Sequence, residues 1–330
     1  MPDIKKIGVA GAGAWGLALA NMAAAAGRNV TLWGRDDAAM AELAATRRSP
    51  RLPGATLARG VLASADPHAL ADCQAVLLCA PAQAQRAMAL GLANFFSRGA
   101  TLVACAKGIE NGSGLFMTQV LAEAAPRHSL AILSGPSFAS DVAAGLPTAV
   151  TLASGDADLA KALCDALRNP SFRLYHTSDV RGVEIGGAAK NVLAIACGIA
   201  AGLDLGASAG AALIARGFAE LTRFGEALGA LPQTLMGLSG LGDLVLTCAS
   251  RQSRNFQFGF DLGRGKSAAT AGGGKLVEGA STAAALAAMA KAHRVEMPIV
   301  ENVDAALQGR IDVIRAVGAL LARPMRGETA

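Results

Sequence analysis

The chain has 330 residues, 52% of them hydrophobic and only 4% aromatic, which is enough for two domains that each bury a core. Its formal net charge is +5, and the charges are spread without a run of five of one sign. This pattern counts against a nucleic-acid arm or a polybasic membrane patch, so we expect neither nucleic-acid binding nor membrane insertion.

The six cysteines form no CxxC pair and stand near no histidine at metal-ligand spacing. We therefore expect reduced thiols in an apolar interior and no metal site. The uncharged stretch Ile7–Gly27 has the length of a signal peptide or membrane span, but it contains four internal glycines and Asn21. A strand, a glycine-rich turn and a helix explain it better.

The first half of the chain alternates short apolar runs with alanine-rich helical stretches. This alternation predicts a mostly parallel sheet with helices on both faces. Strands are predicted at 7–10, 30–33, 76–80, 102–106, 131–133, 149–153 and 172–175, and helices at 17–26, 38–45, 83–96 and 157–167.

Beyond Asp179 the sequence predicts helices and no convincing strand. Helices are predicted at 183–202, 207–228, 282–291 and 302–307, with a glycine-rich loop at 271–274. The fold class is therefore α/β: an N-terminal doubly wound (Rossmann-type) domain, residues 1–178, followed by an all-α substrate and catalytic domain, residues 179–330.

The segment Gly11–Gly16 reads GAGAWG and matches the GxGxxG pattern between a predicted strand and a predicted helix. In this context Gly11 permits the tight turn, Gly13 lets the backbone approach a pyrophosphate, and Gly16 lets the helix pack on the strand. The helix N-terminus then offers N–H groups to the phosphates. The pattern predicts a dinucleotide site.

The residues after the second strand select between the two nicotinamide cofactors. Arg35 can clamp a ribose 2′-phosphate, whereas Asp36 can instead bind the 2′-hydroxyl of NAD. We expect NADP(H) to be preferred and NAD(H) to be accepted.

Two lysines and an acid are candidates for the chemistry. Lys107 follows a strand at the edge where doubly wound sheets bind ligands. Lys190 lies in an apolar helix, where burial disfavours the charged form and makes the lysine a candidate proton donor. Asp243, alone among apolar residues and glycines, is a candidate partner for a lysine ammonium, although a helix N-cap is an alternative role.

The run Ser253-Arg254-Asn255 combines a hydroxyl, a guanidinium and an amide. These groups suit a phosphate, because arginine offers a charged fork and asparagine a neutral donor. Arginine also binds carboxylates, so this run alone leaves the anion open.

Taken together, these segments resemble the bacterial NAD(P)-dependent glycerol-3-phosphate dehydrogenase family. The matching segments, in the family's order, are GAGAWG at 11–16, AKG at 106–108, SGPSFA at 134–139, GLPTA at 145–149, GGAAKNV at 186–192, GLGDLVLTC at 240–248, SRN at 253–255 and VEG at 277–279. The resemblance implies reversible reduction of dihydroxyacetone phosphate to sn-glycerol 3-phosphate, feeding phospholipid synthesis. It also implies a cytoplasmic enzyme and a homodimer.

The resemblance also implies a role for each matching residue, with Lys190 as proton donor and acceptor. Substrate contacts are implied for Lys107, Gly135, Ser137, Lys190, Asp243, Ser253, Arg254 and Asn255, and cofactor contacts for Gly11, Gly13, Ala14, Trp15, Gly16, Arg35, Lys107, Ala139, Arg254, Leu276 and Glu278. Two positions depart from the family: Ala14 replaces a common serine, and Leu276 a common valine. These departures bear on cofactor affinity rather than on the reaction.

Two other functions compete with this interpretation. A ketopantoate reductase or hydroxyacid dehydrogenase of similar build would need a carboxylate site instead of a phosphate site. A non-catalytic NADP(H)-binding sensor would keep the glycine-rich turn but would have no need of Lys190 or Asp243.

Overall fold

The structure is a computed structural model that describes residues 4–274 and 277–321. Eight strands form one sheet in the order β3-β2-β1-β4-β5-β6-β7-β8, and only the β6–β7 pairing is antiparallel. The first six positions follow the 3-2-1-4-5-6 order of dinucleotide-binding sheets. The strands are β1 Lys6–Ala10, β2 Asn29–Trp33, β3 Val61–Ser64, β4 Ala75–Leu78, β5 Thr101–Ala104, β6 Ser129–Ser134, β7 Thr148–Ala153 and β8 Phe172–Thr177.

Helices cover both faces of this sheet, because successive strand residues point to opposite sides. Val9, Leu77 and Val103 belong to one apolar cluster, and their neighbours Leu78 and Ala104 belong to another. The covering helices are α1 Ala14–Ala25, α2 Asp37–Thr46, α3 Gln85–Leu92, α4 Met117–Ala124, α5 Ala139–Ala143 and α6 Ala157–Leu167. The predicted doubly wound arrangement is confirmed.

The described residues after 179 contain helices and no strand. These helices are α7 Val180–Gly202, α8 Gly206–Ala227, α9 Pro232–Leu235, α10 Asp243–Cys248, α11 Arg254–Gly263, α12 Glu278–Ala292, α13 Pro298–Leu307 and α14 Val313–Leu321. A π-helical turn, Leu238–Gly242, precedes α10. The segment predicted as a loop at 271–274 is a 3₁₀ turn interrupted by positive φ at Gly272 and Gly273.

The contacts within the chain divide it into two compact units. Unit 1 consists of Met1–Gly187 and Ala230–Asp243, and unit 2 consists of Ala188–Gly229 and Leu244–Ala330. The predicted division after residue 178 stays a prediction, because this partition follows contacts and assigns the segment 230–243 to the same unit as the sheet.

Unit 2 is held together by a close crossing of α7 and α11. A Cβ atom added at Gly198 would lie 2.1 Å from the carbonyl oxygen of Phe256, and one at Gly259 would lie 2.1 Å from that of Ile195. Only glycine permits this backbone approach. Elsewhere in the unit, the carboxylate of Glu220 on α8 accepts the N–H of Ile299 at 2.9 Å and so caps α13.

Helix α7 has the length and hydropathy of a membrane span. However, 94% of its most apolar window is buried inside the protein, as in the core helix of a folded domain. The six cysteines are free thiols, five of them buried. Burial raises the pKa of Cys73 to about 11 and that of Cys164 to about 12, so both remain protonated near neutral pH.

Candidate active site

The glycine-rich turn after β1 is built by two glycines that no other residue could replace. Gly11 has φ +117°, and a Cβ there would lie 3.0 Å from the backbone of Cys79. A Cβ at Gly16 would lie 1.8 Å from the carbonyl oxygen of Gly11. The start of α1 therefore packs directly against the turn, and the turn against the end of β4.

The first turn of α1 fits a diphosphate. Gly13 is its N-cap and supplies no capping side chain, and a Cβ there would meet no atom within 4 Å. The first intrahelical bond runs from Leu17 N–H to Gly13 O at 3.0 Å, so the N–H groups of Ala14, Trp15 and Gly16 precede it. These donors, together with the positive end of the helix dipole, suit an anion approaching Gly13.

At the end of β2 the structure assigns different roles to the two candidate ribose residues. Asp36 is the N-cap of α2, and its Oδ1 accepts the N–H of Ala39 at 3.0 Å. Arg35 is exposed, and no described residue pairs with its guanidinium. Because Asp36 is engaged in capping, Arg35 is the better candidate for contact with a 2′-phosphate.

Lys107, in the loop after β5, brings together three distant parts of unit 1. Its Nζ donates to the carbonyl oxygen of Gly135 at 2.8 Å and to Oδ2 of Asp243 at 2.7 Å. The side chain of Asp243 is only 1% exposed, and that of Lys107 is 15% exposed. A buried carboxylate thus holds the ammonium of Lys107. The small exposed part of the lysine side chain is the part that a ligand oxygen could reach.

Gly135 shapes this site from the end of β6. Its φ is +141°, and a Cβ there would lie 2.9 Å from Cα of Val150, so any side chain would collide with β7. Its carbonyl oxygen accepts from both Lys107 Nζ and Ser137 Oγ, the latter at 3.0 Å. Ala139, also singled out from the sequence, is the first residue of α5.

Lys190 lies in the part of α7 that belongs to unit 2, with a side chain almost fully buried. The residue is 7% exposed, and its Nζ donates to Oγ1 of Thr247 at 2.8 Å. Thr247, on α10, is also buried and was not singled out from the sequence. Its one signal was a hydroxyl in the otherwise apolar run Leu244–Cys248.

The Ser253-Arg254-Asn255 run begins α11. Ser253 is the N-cap, and its Oγ accepts the N–H of Phe256 at 3.2 Å. Arg254 is exposed at the first helical position. A phosphate in this region would meet the guanidinium most directly, because the serine already has a capping role.

Asn255 is buried, and its amide joins three segments of unit 2. Its Nδ2 donates to Oδ1 of Asn191 on α7 at 2.9 Å, and its Oδ1 accepts the N–H of Gly279 on α12 at 2.9 Å. Asn191 is a second site residue that was not predicted from the sequence. The network fixes the start of α12, where Glu278 is the first residue. Leu276 lies outside the described residues.

The structure thus gathers Lys107, Gly135, Ser137 and Asp243 in unit 1, and it pairs Lys190 with Thr247 in unit 2. Within the ranges 4–274 and 277–321, no group of three or more His, Cys, Asp or Glu side chains could hold a metal ion.

Comparison with known proteins agrees with this geometry. Residues 6–160 match the model of the NAD-dependent glycerol-3-phosphate dehydrogenase N-terminus, and residues 179–318 match that of its C-terminus. The glycerol-3-phosphate dehydrogenase [NAD(P)+] of Azorhizobium caulinodans is 61% identical over 99% of this chain and its own full length. That of Methylobacterium radiotolerans is 58% identical over 98% of both chains.

Among solved structures, the glycerol-3-phosphate dehydrogenase of Coxiella burnetii superimposes with a TM-score of 0.92 and 37% identity, over 98% of this chain and 100% of that one. The two family models, the full-length relatives and this superposition agree on both halves of the molecule. The chain therefore belongs to the NAD-dependent glycerol-3-phosphate dehydrogenase family.

Proposed function

We propose that this protein catalyses the reversible, NAD(P)H-dependent reduction of dihydroxyacetone phosphate to sn-glycerol 3-phosphate and so supplies glycerophospholipid synthesis. The observation that carries the proposal is the 61% identity, over 99% of this chain and the whole of the relative, to a protein of that name. The buried lysines give the proposal its chemistry.

Lys190 is the proposed proton donor to the substrate oxygen at C2. Reduced nicotinamide, when bound, supplies the hydride that C2 receives. The hydrogen bond from Lys190 Nζ to Thr247 Oγ1 limits the rotation of the ammonium, so that its remaining protons keep a constant direction. In the oxidative direction the neutral amine accepts the same proton.

Lys107 and Asp243 position the substrate oxygens. The ammonium is held by Asp243 and by the Gly135 carbonyl, which fixes the position from which it would donate to a substrate oxygen. A donor fixed in advance costs little reorganisation when charge develops on that oxygen. Ser137, whose hydroxyl donates to the same carbonyl, is proposed to contact the substrate through its hydroxyl oxygen.

Arg254 is the proposed phosphate clamp, with Ser253 and Asn255 beside it. The exposed guanidinium can form two parallel bonds to a phosphate. Asn255 Nδ2 donates one proton to Asn191 Oδ1, and we propose that its second proton contacts the anion. Binding energy gained at the phosphate can then orient C2 for the chemical step.

The proposed cofactor is NADP(H) by preference, with NAD(H) accepted. Gly11, Gly13, Ala14, Trp15 and Gly16 would surround the diphosphate. Arg35 would contact the 2′-phosphate, and further contacts are proposed for Lys107, Ala139, Arg254, Leu276 and Glu278. We further propose a cytoplasmic homodimer, as the family resemblance implies.

The decisive experiment follows NADPH oxidation with dihydroxyacetone phosphate, dihydroxyacetone, pyruvate and ketopantoate. We expect turnover with the first and very little with the others, because only the first offers a phosphate to Arg254. Preference for ketopantoate or pyruvate would favour the carboxylate-specific alternatives. NADPH binding without turnover of any of the four would favour the sensor.

Two sets of variants test the residue assignments. Lys190→Ala should lower turnover by about 10²–10⁴-fold while NADPH still binds. Arg254→Ala should impair the phosphorylated substrate far more than dihydroxyacetone, and Arg254→Lys should recover only part of the loss, because lysine keeps the charge without the fork. Equal losses on both substrates would reject the phosphate clamp.

A further inference from the structure

A cavity of about 210 Å³ opens in unit 1, away from the residues discussed so far. It is lined by Ala93, Asn94, Phe96, Arg98, Arg127 and His128. These residues precede the first residues of β5 and β6, whereas Lys107 and Gly135 follow the last residues of the same two strands. The cavity therefore lies at the opposite edge of the sheet from the candidate active site.

The polar lining of the cavity is cationic. Arg98 and Arg127 are both exposed, and across the described ranges neither guanidinium has an ion-pair or hydrogen-bond partner. The Nδ1 atom of His128 lies 3.0 Å from the carbonyl oxygen of Ala100, so Nδ1 carries the proton and Nε2 remains for a ligand. No carboxylate lines the cavity to neutralise the two arginines.

The two turns that carry these groups are held by local bonds. The N–H of Ala100 donates to Ser97 O at 3.0 Å, and the N–H of His128 donates to Ala125 O at 3.2 Å. Ser97 Oγ donates to Cys73 O at 3.1 Å and ties the first turn to the segment that precedes β4. The ring of Phe96 is buried edge-on against His128, with 5.8 Å between centroids. The cavity is thus preformed, with one apolar wall.

We propose that this cavity is a binding site for a phosphate-type dianion, either inorganic phosphate or a small phosphate monoester. Two guanidinium forks can each form paired bonds to phosphate oxygens, and a dianion matches their combined charge. Asn94 adds an amide to the lining. The volume exceeds that of phosphate alone, and the Phe96 wall accepts a short organic substituent.

Histidine NMR tests whether phosphate binds in this cavity rather than elsewhere on the protein. The chain has four histidines, and His128 is the one in the cavity, so ¹⁵N-histidine labelling gives few signals and His128→Gln assigns the relevant one. Titration with inorganic phosphate at constant ionic strength should shift the His128 signal along a saturating curve, whereas chloride should not. Methyl phosphate in a parallel titration shows whether the ester or the free anion binds more tightly.

Matched double variants distinguish phosphate binding by Arg98 and Arg127 from a general effect of the protein's positive charge. The double variant Arg98→Gln/Arg127→Gln should raise the apparent Kd by about ten- to a hundredfold or more, as expected for lost charge-assisted bonds. Arg51→Gln/Arg173→Gln removes the same charge from exposed positions elsewhere in unit 1 and should change the Kd less than twofold. A linear, unsaturable shift, or equal Kd values in both double variants, would overturn the proposal. The readout needs no turnover, so failure of the proposed activity would leave this result intact.

Discussion

Removing the charge of Asp243 should show how strongly burial amplifies the Lys107–Asp243 ion pair. The two charged atoms are 2.7 Å apart, and the side chains are 15% and 1% exposed. Unit 1 contains a second pair, Lys161–Asp165, which is 2.6 Å long but 51% and 45% exposed. Since the two distances are nearly equal, any difference in their coupling energies reports the environment.

The expected magnitudes follow from Coulomb's law. At an effective dielectric constant of about 20, two unit charges at this distance attract by about 6 kcal/mol, and in water by about 1.6 kcal/mol. Desolvation and side-chain ordering cancel much of both values. We therefore expect coupling energies of about 2–4 kcal/mol for Lys107–Asp243 and about 0.3–0.5 kcal/mol for Lys161–Asp165.

Two double-mutant cycles measure these energies: Lys107→Met with Asp243→Asn, and Lys161→Met with Asp165→Asn. Urea unfolding should be followed by tryptophan fluorescence, because both tryptophans, Trp15 and Trp33, lie in unit 1 with both ion pairs. A coupling energy for the buried pair no larger than that of the exposed pair would refute the reasoning.

Three further predictions concern the cofactor, the proton donor and the stability of unit 2. Arg35→Ala should weaken NADPH binding about ten- to a hundredfold and leave NADH binding within twofold in fluorescence titrations; equal losses would show that Arg35 contacts a group common to both. Thr247→Val should lower kcat about tenfold with little change in KM, because Lys190 loses its 2.8 Å acceptor, and Thr247→Ser should restore most of it; equal losses would assign Thr247 to packing. Burial raises the pKa of Glu220 to about 7 despite the N–H bond from Ile299, so the folded state binds this proton more tightly than the unfolded state. The stability contributed by protonation is complete below about pH 4.5 and is lost as the pH rises through about 7. Because glutamine does not titrate, the free energy of unfolding of Glu220→Gln should gain about 2–3 kcal/mol relative to that of wild type between pH 4.5 and 8 in denaturant titrations. A difference that does not change with pH would contradict the assignment.

The elements that the sequence predicted best are those with a continuous local signal. Strands β1, β2 and β4 are apolar runs bounded by glycine or polar residues, and α6 has the predicted bounds 157–167. Strand β3 was missed because it has four residues at the sheet edge and only Val61 is buried. Helix α3 is shorter than predicted, since its first turn is 3₁₀ and it ends at Leu92.

The start of α11 shows a different limit of prediction from sequence. Asn255 stands in a short run that the sequence marked for phosphate, yet its amide also bonds Asn191 and Gly279, which are remote in the chain. No periodicity or motif spacing encodes that network. Thr247 escaped notice for the same reason, because its importance comes from the position of Lys190 Nζ rather than from its own surroundings in sequence.

Gly135 combines a local sequence signal with contacts that only the fold creates. Locally it is a glycine directly after a strand, in the Gly-Pro pair of the segment SGPSFA. In the fold its positive φ and its approach to Val150 direct a carbonyl oxygen at Lys107, whose ammonium is also bonded to Asp243, 136 residues further along the chain. A side chain at residue 135 would displace that carbonyl without touching either charged group. The geometry of the lysine therefore depends on a backbone conformation and a distant acid together, and sequence motifs identify the participants but not the bonds between them.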